Sequence, residues 1–196
     1  ELAGRRVWVA ASTHAADEGV VIAAQQRLWA VDPAWLLILT PRLPTRADKI
    51  AAALEAAGLG FVQRSRGGAI GPETAVLLAD SFGELGLWYR LAESAFVGGS
   101  LGGAGGHNPW EAICLGVPVI SGPDTANFRA DYAELAALGL ARQIPSGGAA
   151  AQQLADQVAR SAGQGGGEGV RALVQSARLE VDGLAQKLVQ LMDVSR

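Results

Sequence analysis

Residues 35–40 read WLLILT, an apolar run with almost no polar alternation. A strand of that kind has both faces covered, which points to a largely parallel sheet held between layers of helices. The same reading repeats along the chain: residues 6–12 (RVWVAAS), 60–64, 75–79 (AVLLA), 95–98, 117–121 and 140–144 are further strand candidates. Helical periods lie between them. Asp17 and Glu18 suit a first turn followed by Val21, Ala24, Leu28 and Val31 on one stripe. A helix from Thr45 turns Ile50, Leu54 and Ala57 inward and stops at Gly58. Ser81 and Glu84 stand at capping-box spacing before Leu85, Trp88, Tyr89 and Ala92. Residues 128–138 and 149–160 are helical by pattern. This β-α order predicts one Rossmann-like α/β domain over residues 1–196, a mostly parallel sheet with helices on both faces. Residues 161–169 read as a flexible turn, and Val170, Leu173, Ala177, Val181, Leu184, Leu188 and Leu191 trace a long C-terminal helix lying across the domain.

Composition narrows the function. Apolar residues make up 49% of the 196 and charged ones 18%, which argues for a large core. A net charge of -3 argues against broad nucleic-acid binding, which needs many cations to displace counterions. One cysteine and two histidines leave no disulfide framework and no histidine-rich metal centre. Cys114, between Ile113 and Leu115, reads as a small core residue within a helix. No apolar stretch reaches the roughly 20 residues needed to span a bilayer. The chain starts at Glu1, without methionine or a signal sequence, which suggests a fragment whose preceding part is missing.

The site signal is concentrated in residues 96–125, FVGGSLGGAGGHNPWEAICLGVPVISGPDT. A strand runs into a glycine-rich loop, and His107-Asn108-Pro109 opens a helix. Asn108 is placed as N-cap, Pro109 as first helical residue and Glu111 at the capping-box position, so the helix is expected to begin at Asn108. Its free N–H groups and positive dipole end would face the loop, where missing side chains admit an anion such as phosphate. The competing reading is a surface linker followed by an ordinary cap. In parallel α/β sheets ligands settle beyond the carboxyl ends of the strands. Ser12, Thr13, His14, Arg42, residues 81–84, 100–108 and 124–127 all fall at such ends.

The segments ADSFGEL (79–85), AFVGGS (95–100), GGHNPWE (105–111), Gly122-Pro123 with Asn127-Phe128, ASTH (11–14) and Pro41-Arg42 closely resemble the C-terminal half of 3-deoxy-D-manno-octulosonic acid (Kdo) transferases. The likeness extends over about residues 5–145. It implies the donor domain of a GT-B glycosyltransferase that uses CMP-Kdo and attaches Kdo to a lipid A precursor, in lipopolysaccharide biosynthesis at the cytoplasmic face of the bacterial inner membrane. Acceptor groove, membrane contact and carboxylate base would belong to an N-terminal domain absent from this chain. The fragment alone is then expected to be soluble and inactive, with no catalytic base and no metal or other cofactor of its own.

The resemblance implies a CMP site built from Ser12, Thr13, His14, Pro41, Arg42, Ser81, Phe82, Gly83, Glu84, Leu85, Gly99, Ser100, Gly106, His107, Asn108, Glu111 and Asn127. Arg42 would contact the phosphate, helped by Ser12 or Thr13 and the amides at Asn108. Glu111 would accept from ribose or sugar hydroxyls, residues 82–85 would frame the cytosine, and His14 and His107 would line the site without acting as bases. Departures from the family pattern are Phe82 where Met is usual, the glycine-rich segment 101–104, and Trp110 where Leu is common. Two other readings stay open: a non-catalytic nucleotide-binding module, and an epimerase-type GT-B protein using UDP-sugars.

Overall fold

The computed structural model describes residues 2, 4–161, 175, 179 and 181–187. Its strands are β1 (Arg6–Thr13), β2 (Trp35–Pro41), β3 (Phe61–Gln63), β4 (Val76–Leu78), β5 (Ser94–Val97), β6 (Val119–Ser121) and β7 (Ala141–Gln143). The helices are α1 (Ala15–Val31), α2 (Ala47–Ala56), α3 (Leu85–Leu91), α4 (Trp110–Ile113), α5 (Arg129–Ala137) and α6 (Ala150–Ser161). All seven strands join one sheet in the order β3-β4-β2-β1-β5-β6-β7, and every pairing is parallel. Each strand expected from the apolar runs is present.

The period of two along β1 and β2 divides the core. Trp8, Ala10, Leu37 and Leu39 pack against α1, α2 and α6 on one face of the sheet. Val7, Val9, Ala11, Leu36 and Ile38 meet α3, α4 and α5 on the other. Burying Trp8 completely would orphan its indole N–H, at a cost of about 1–3 kcal/mol. Gln25 removes that cost: its Oε1 accepts from Trp8 at 2.7 Å, and its Nε2 donates to the carbonyls of Trp35 and Ala75. One buried amide thus ties α1 to β1, β2 and the entry of β4.

Three local expectations are corrected. Val31 is 86% exposed, because α1 ends by turning its last residue away from the sheet. Cys114 is exposed at the C-cap of α4. The Ser81 capping box does not form; α3 starts later, with Glu84 as N-cap, and Ser81 donates its hydroxyl to the Glu84 carboxylate. Ser161 closes α6, whereas residues 162–169 lie outside the described residues. Of the terminal stripe, Val181 and Leu184 are described; they are helical and exposed, and the other stripe residues lie outside the described set. Among the described residues no helix is long and apolar enough to cross a membrane.

Candidate functional site

From β1 the chain proceeds to β2 on one side, and β5 pairs with β1 on the other. The crevice beyond the ends of β1 and β5 is therefore the topological switch point, where such sheets bind ligands. The backbone is unusual there. Ser12 has φ 53, the single positive value at a non-glycine among the described residues, and β1 slips register against β2 between Ala11 and Thr13. A left-handed non-glycine costs about 1–2 kcal/mol, a strain of the kind found at ligand sites. Across the crevice, a Cβ on Gly98 would fall 2.6 Å from the Ser12 carbonyl oxygen and 2.7 Å from the Thr13 Cα. Only glycine lets the two strand ends meet.

The glycine loop is a knot closed by the protein's own carboxylates. Asp17, completely buried, accepts N–H bonds from His14 (2.8 Å), Gly99 (2.8 Å) and Leu101 (3.1 Å). Asp124 accepts from the Gly105 N–H at 2.9 Å. The Gly106 N–H donates to the Gly99 carbonyl, and the His107 N–H to that of Gly98. Ser100, fully buried, donates its hydroxyl to Val97 and accepts from the Gly122 N–H. Asn127 donates its side-chain amide to the carbonyls of Ala104 and Gly106. The N–H groups of Gly99, Leu101, Gly105, Gly106 and His107 are therefore taken up within the protein. Gly99, Ser100, Gly106 and Asn127 build the loop, and Thr13 is buried beneath it.

The helix after the loop also differs from expectation. It begins at Trp110, not Asn108, and spans one turn. Asn108 Oδ1 accepts from the Trp110 N–H at 3.0 Å, and Glu111 makes no return bond, so the capping box is absent. A single turn sums few peptide dipoles, which removes the macrodipole as a source of anion affinity. The Asn108 N–H itself finds no acceptor among the described residues.

A cleft of about 360 Å³ opens at the switch point. Ser12 from β1 and Thr40, Pro41 and Arg42 from the end of β2 form one wall; Ser81, Phe82, Gly83 and Leu85 form another. Trp88 and Tyr89 of α3, with Val97, His107, Asn108 and Glu111, complete it. Of the residues named from sequence, Ser12, Pro41, Arg42, Ser81, Phe82, Gly83, Leu85, His107, Asn108 and Glu111 meet in this cleft. Thr13, His14, Glu84, Gly99, Ser100, Gly106 and Asn127 do not line it. Thr40, Trp88, Tyr89 and Val97 line it without having been singled out, and Asp17 organises it from below. The aromatic pair had a helical-stripe signal that reads equally as core.

Arg42 is the cation of this cleft. Its N–H donates to the Thr13 carbonyl at 2.9 Å, and its guanidinium makes no ion pair with any described carboxylate. By contrast Arg46 is committed to Glu18 through two 2.6 Å bonds, and Arg64 to Glu84 at 2.8 Å. Arg64 and then Ser81 hold the Glu84 carboxyl below its ordinary range. Burial pushes Asp80 up, but bonds from Ser65 and Gln63 outweigh it and hold this carboxyl below its ordinary value, fixing the 80–84 loop.

His14 stands behind the cleft and meets His107 with 2.8 Å between their Nε2 atoms and the rings stacked. The contact requires one Nε2 to carry the hydrogen and the other to offer its lone pair. Burial lowers the His107 pKa below 6.5, and the His14 and Arg42 charges act in the same direction. An unfolded chain therefore takes up this proton at a higher pH than the folded one. Stability from His107 is complete above 6.5 and falls as pH drops towards the lowered folded value. The expected result is that His107→Gln flattens the acid-side decline of the melting temperature; an unchanged decline contradicts this assignment.

The fold is one that glycosyltransferases share. Trehalose 6-phosphate synthase from Burkholderia multivorans superposes with a TM-score of 0.56 at 18% identity, over 96% of this chain and 45% of that one. A solved structure of the C-terminal CMP-Kdo binding domain of WaaA from Acinetobacter baumannii matches with a TM-score of 0.78 and 35% identity, covering 90% of this chain and 89% of that domain. The 3-deoxy-D-manno-octulosonic acid transferase of Haemophilus influenzae is 42% identical over 124 residues, 63% of this chain and 29% of the relative. That of Bordetella pertussis is 42% identical over 146 residues, 72% of this chain and 34% of the relative. No family model matches the chain.

The chain belongs to the 3-deoxy-D-manno-octulosonic acid transferase family, as a homologue of its C-terminal domain. It spans about a third of the length of the curated relatives it matches.

Proposed function

We propose that this chain is the donor-binding domain of a Kdo transferase, holding CMP-Kdo while Kdo passes to a lipid A precursor in lipopolysaccharide biosynthesis. The observation that carries the reading is the unpaired Arg42 guanidinium in a cleft at the switch point, within a chain homologous to a CMP-Kdo binding domain. A cleft of 360 Å³ lies at the lower end of the roughly 300–1,000 Å³ typical of ligand pockets, a size that suits a nucleoside monophosphate.

In the reaction the bond from the anomeric carbon to the phosphate oxygen breaks, and its electron pair stays on CMP. Negative charge grows on the phosphate, so a donor aimed at it lowers the barrier. Arg42, the Ser12 hydroxyl and the Asn108 N–H are the donors assigned to that charge. Residues 81–85 receive the cytosine. The acceptor oxygen bonds to the anomeric carbon as its proton passes to a carboxylate of another domain, which also carries the acceptor groove and the contact with the cytoplasmic face of the inner membrane. On this reading the chain by itself binds donor and transfers nothing.

Calorimetric titration of the chain with CMP and UDP tests the proposal. Clear preference for CMP is expected. Preference for UDP would favour an epimerase-type GT-B protein, and absence of binding to either would favour a non-catalytic module or a site completed only by the other domain.

A further inference from the structure

Tyr89 and Tyr132 are buried to the same depth, 2% and 3% exposed, but only one is satisfied. Tyr132 donates its hydroxyl to the His107 carbonyl at 3.1 Å. The Tyr89 hydroxyl makes no hydrogen bond to any described residue, and the side chain lines the cleft, where that hydroxyl stays accessible although the ring is buried. Buried tyrosines ordinarily find a partner for the hydroxyl. Among the described residues, then, this donor at the cleft has no acceptor. Burial raises the phenol pKa, and the negative charge of Glu111 acts in the same direction, so the hydroxyl keeps its proton and the two side chains are neighbours.

The pair has a defined chemical complement. Ionised Glu111 only accepts, and the phenol donates one hydrogen bond. Adjacent hydroxyls on a ligand fit both: one donates to the carboxylate and the other accepts from the phenol. Location selects the diol. Tyr89 belongs to α3, which follows the 81–84 loop, whereas Glu111 belongs to α4, which follows His107 and Asn108. A nucleotide with its base at the first loop and its phosphate at the second places its ribose between them.

We propose that Tyr89 is a specificity-determining residue of the donor site, reading the ribose diol together with Glu111 and selecting ribonucleotides over 2'-deoxyribonucleotides. This rests on the donor-binding reading. The test is titration of the wild-type chain, Tyr89→Phe and Glu111→Gln with CMP and with 2'-deoxy-CMP. Wild type is expected to prefer CMP by about tenfold, the scale of one well-placed hydrogen bond. Tyr89 is assigned to the 2'-hydroxyl, so Tyr89→Phe should lose most of that preference by weakening CMP and leaving 2'-deoxy-CMP nearly unchanged, whereas Glu111→Gln, on the 3'-hydroxyl, should weaken both nucleotides. Because the phenol has no partner among the described residues, unliganded Tyr89→Phe should melt no lower than wild type. For Tyr89→Phe, retained preference, equal losses for both nucleotides, or a lowered melting temperature would overturn the inference. Failure of wild type to bind CMP would instead overturn the donor-site reading beneath it.

Discussion

Replacing Arg42 by alanine is expected to weaken CMP binding by about ten- to a hundredfold and to leave cytidine binding nearly unchanged. A hydrogen bond to a charged group is worth about 1.5–3 kcal/mol, and about 1.4 kcal/mol is a tenfold change in affinity. Arg42 is positioned to supply that contact because its backbone is tied to Thr13 at 2.9 Å and no described carboxylate competes for its guanidinium. Cytidine lacks the phosphate and so reports any general damage to the cleft. Arg42→Lys should recover only part of the loss, since an ammonium keeps the charge but not the planar fork. Equal losses for CMP and cytidine would assign Arg42 a structural role instead.

Asp17→Ala should produce the largest loss of stability. The carboxylate serves three backbone N–H groups, one from the start of α1 and two from the glycine loop, and all disappear together. Each orphaned buried donor costs about 1–3 kcal/mol; with some water entering the vacated space the sum is expected near 3–5 kcal/mol in urea unfolding. CMP binding should fall as well, because the same carboxylate holds the segment bearing His14 against the one that leads to His107 and Asn108. Asp17→Asn should lose less, since the retained oxygen still accepts while the amide nitrogen faces a donor. A loss below about 1 kcal/mol in the alanine variant would show that the loop is held by other contacts.

These two residues also show where sequence reading stops. The strands were legible because runs such as WLLILT admit little else, and the carboxyl-end edge followed from their alternation with helices, whereas the switch point needed the strand order of the sheet. Arg42 was legible because two prolines flank its short turn at a strand end. Asp17 was read as a first-turn acid, a local role, whereas its partners lie 82 and 84 residues away. The glycine loop was read for its missing side chains, but the acceptors for the Gly99, Leu101 and Gly105 N–H groups come from α1 and from the turn after β6, which no local pattern shows. Asn108 and Ser81 each stand three residues before a glutamate, yet both helices start later: Asn108 accepts from the Trp110 N–H, and Ser81 gives its hydroxyl to the Glu84 carboxylate. Short-range patterns name the participants in a site, and tertiary contacts decide which of them face the ligand.

The most direct measurement is a crystal structure of this chain with CMP. The account predicts the phosphate within hydrogen-bonding distance of the Arg42 guanidinium and the Asn108 N–H, with the base against residues 81–85. A phosphate seated on the amides of Gly99 or Leu101 with Asp17 displaced, or CMP bound away from Arg42, would contradict it.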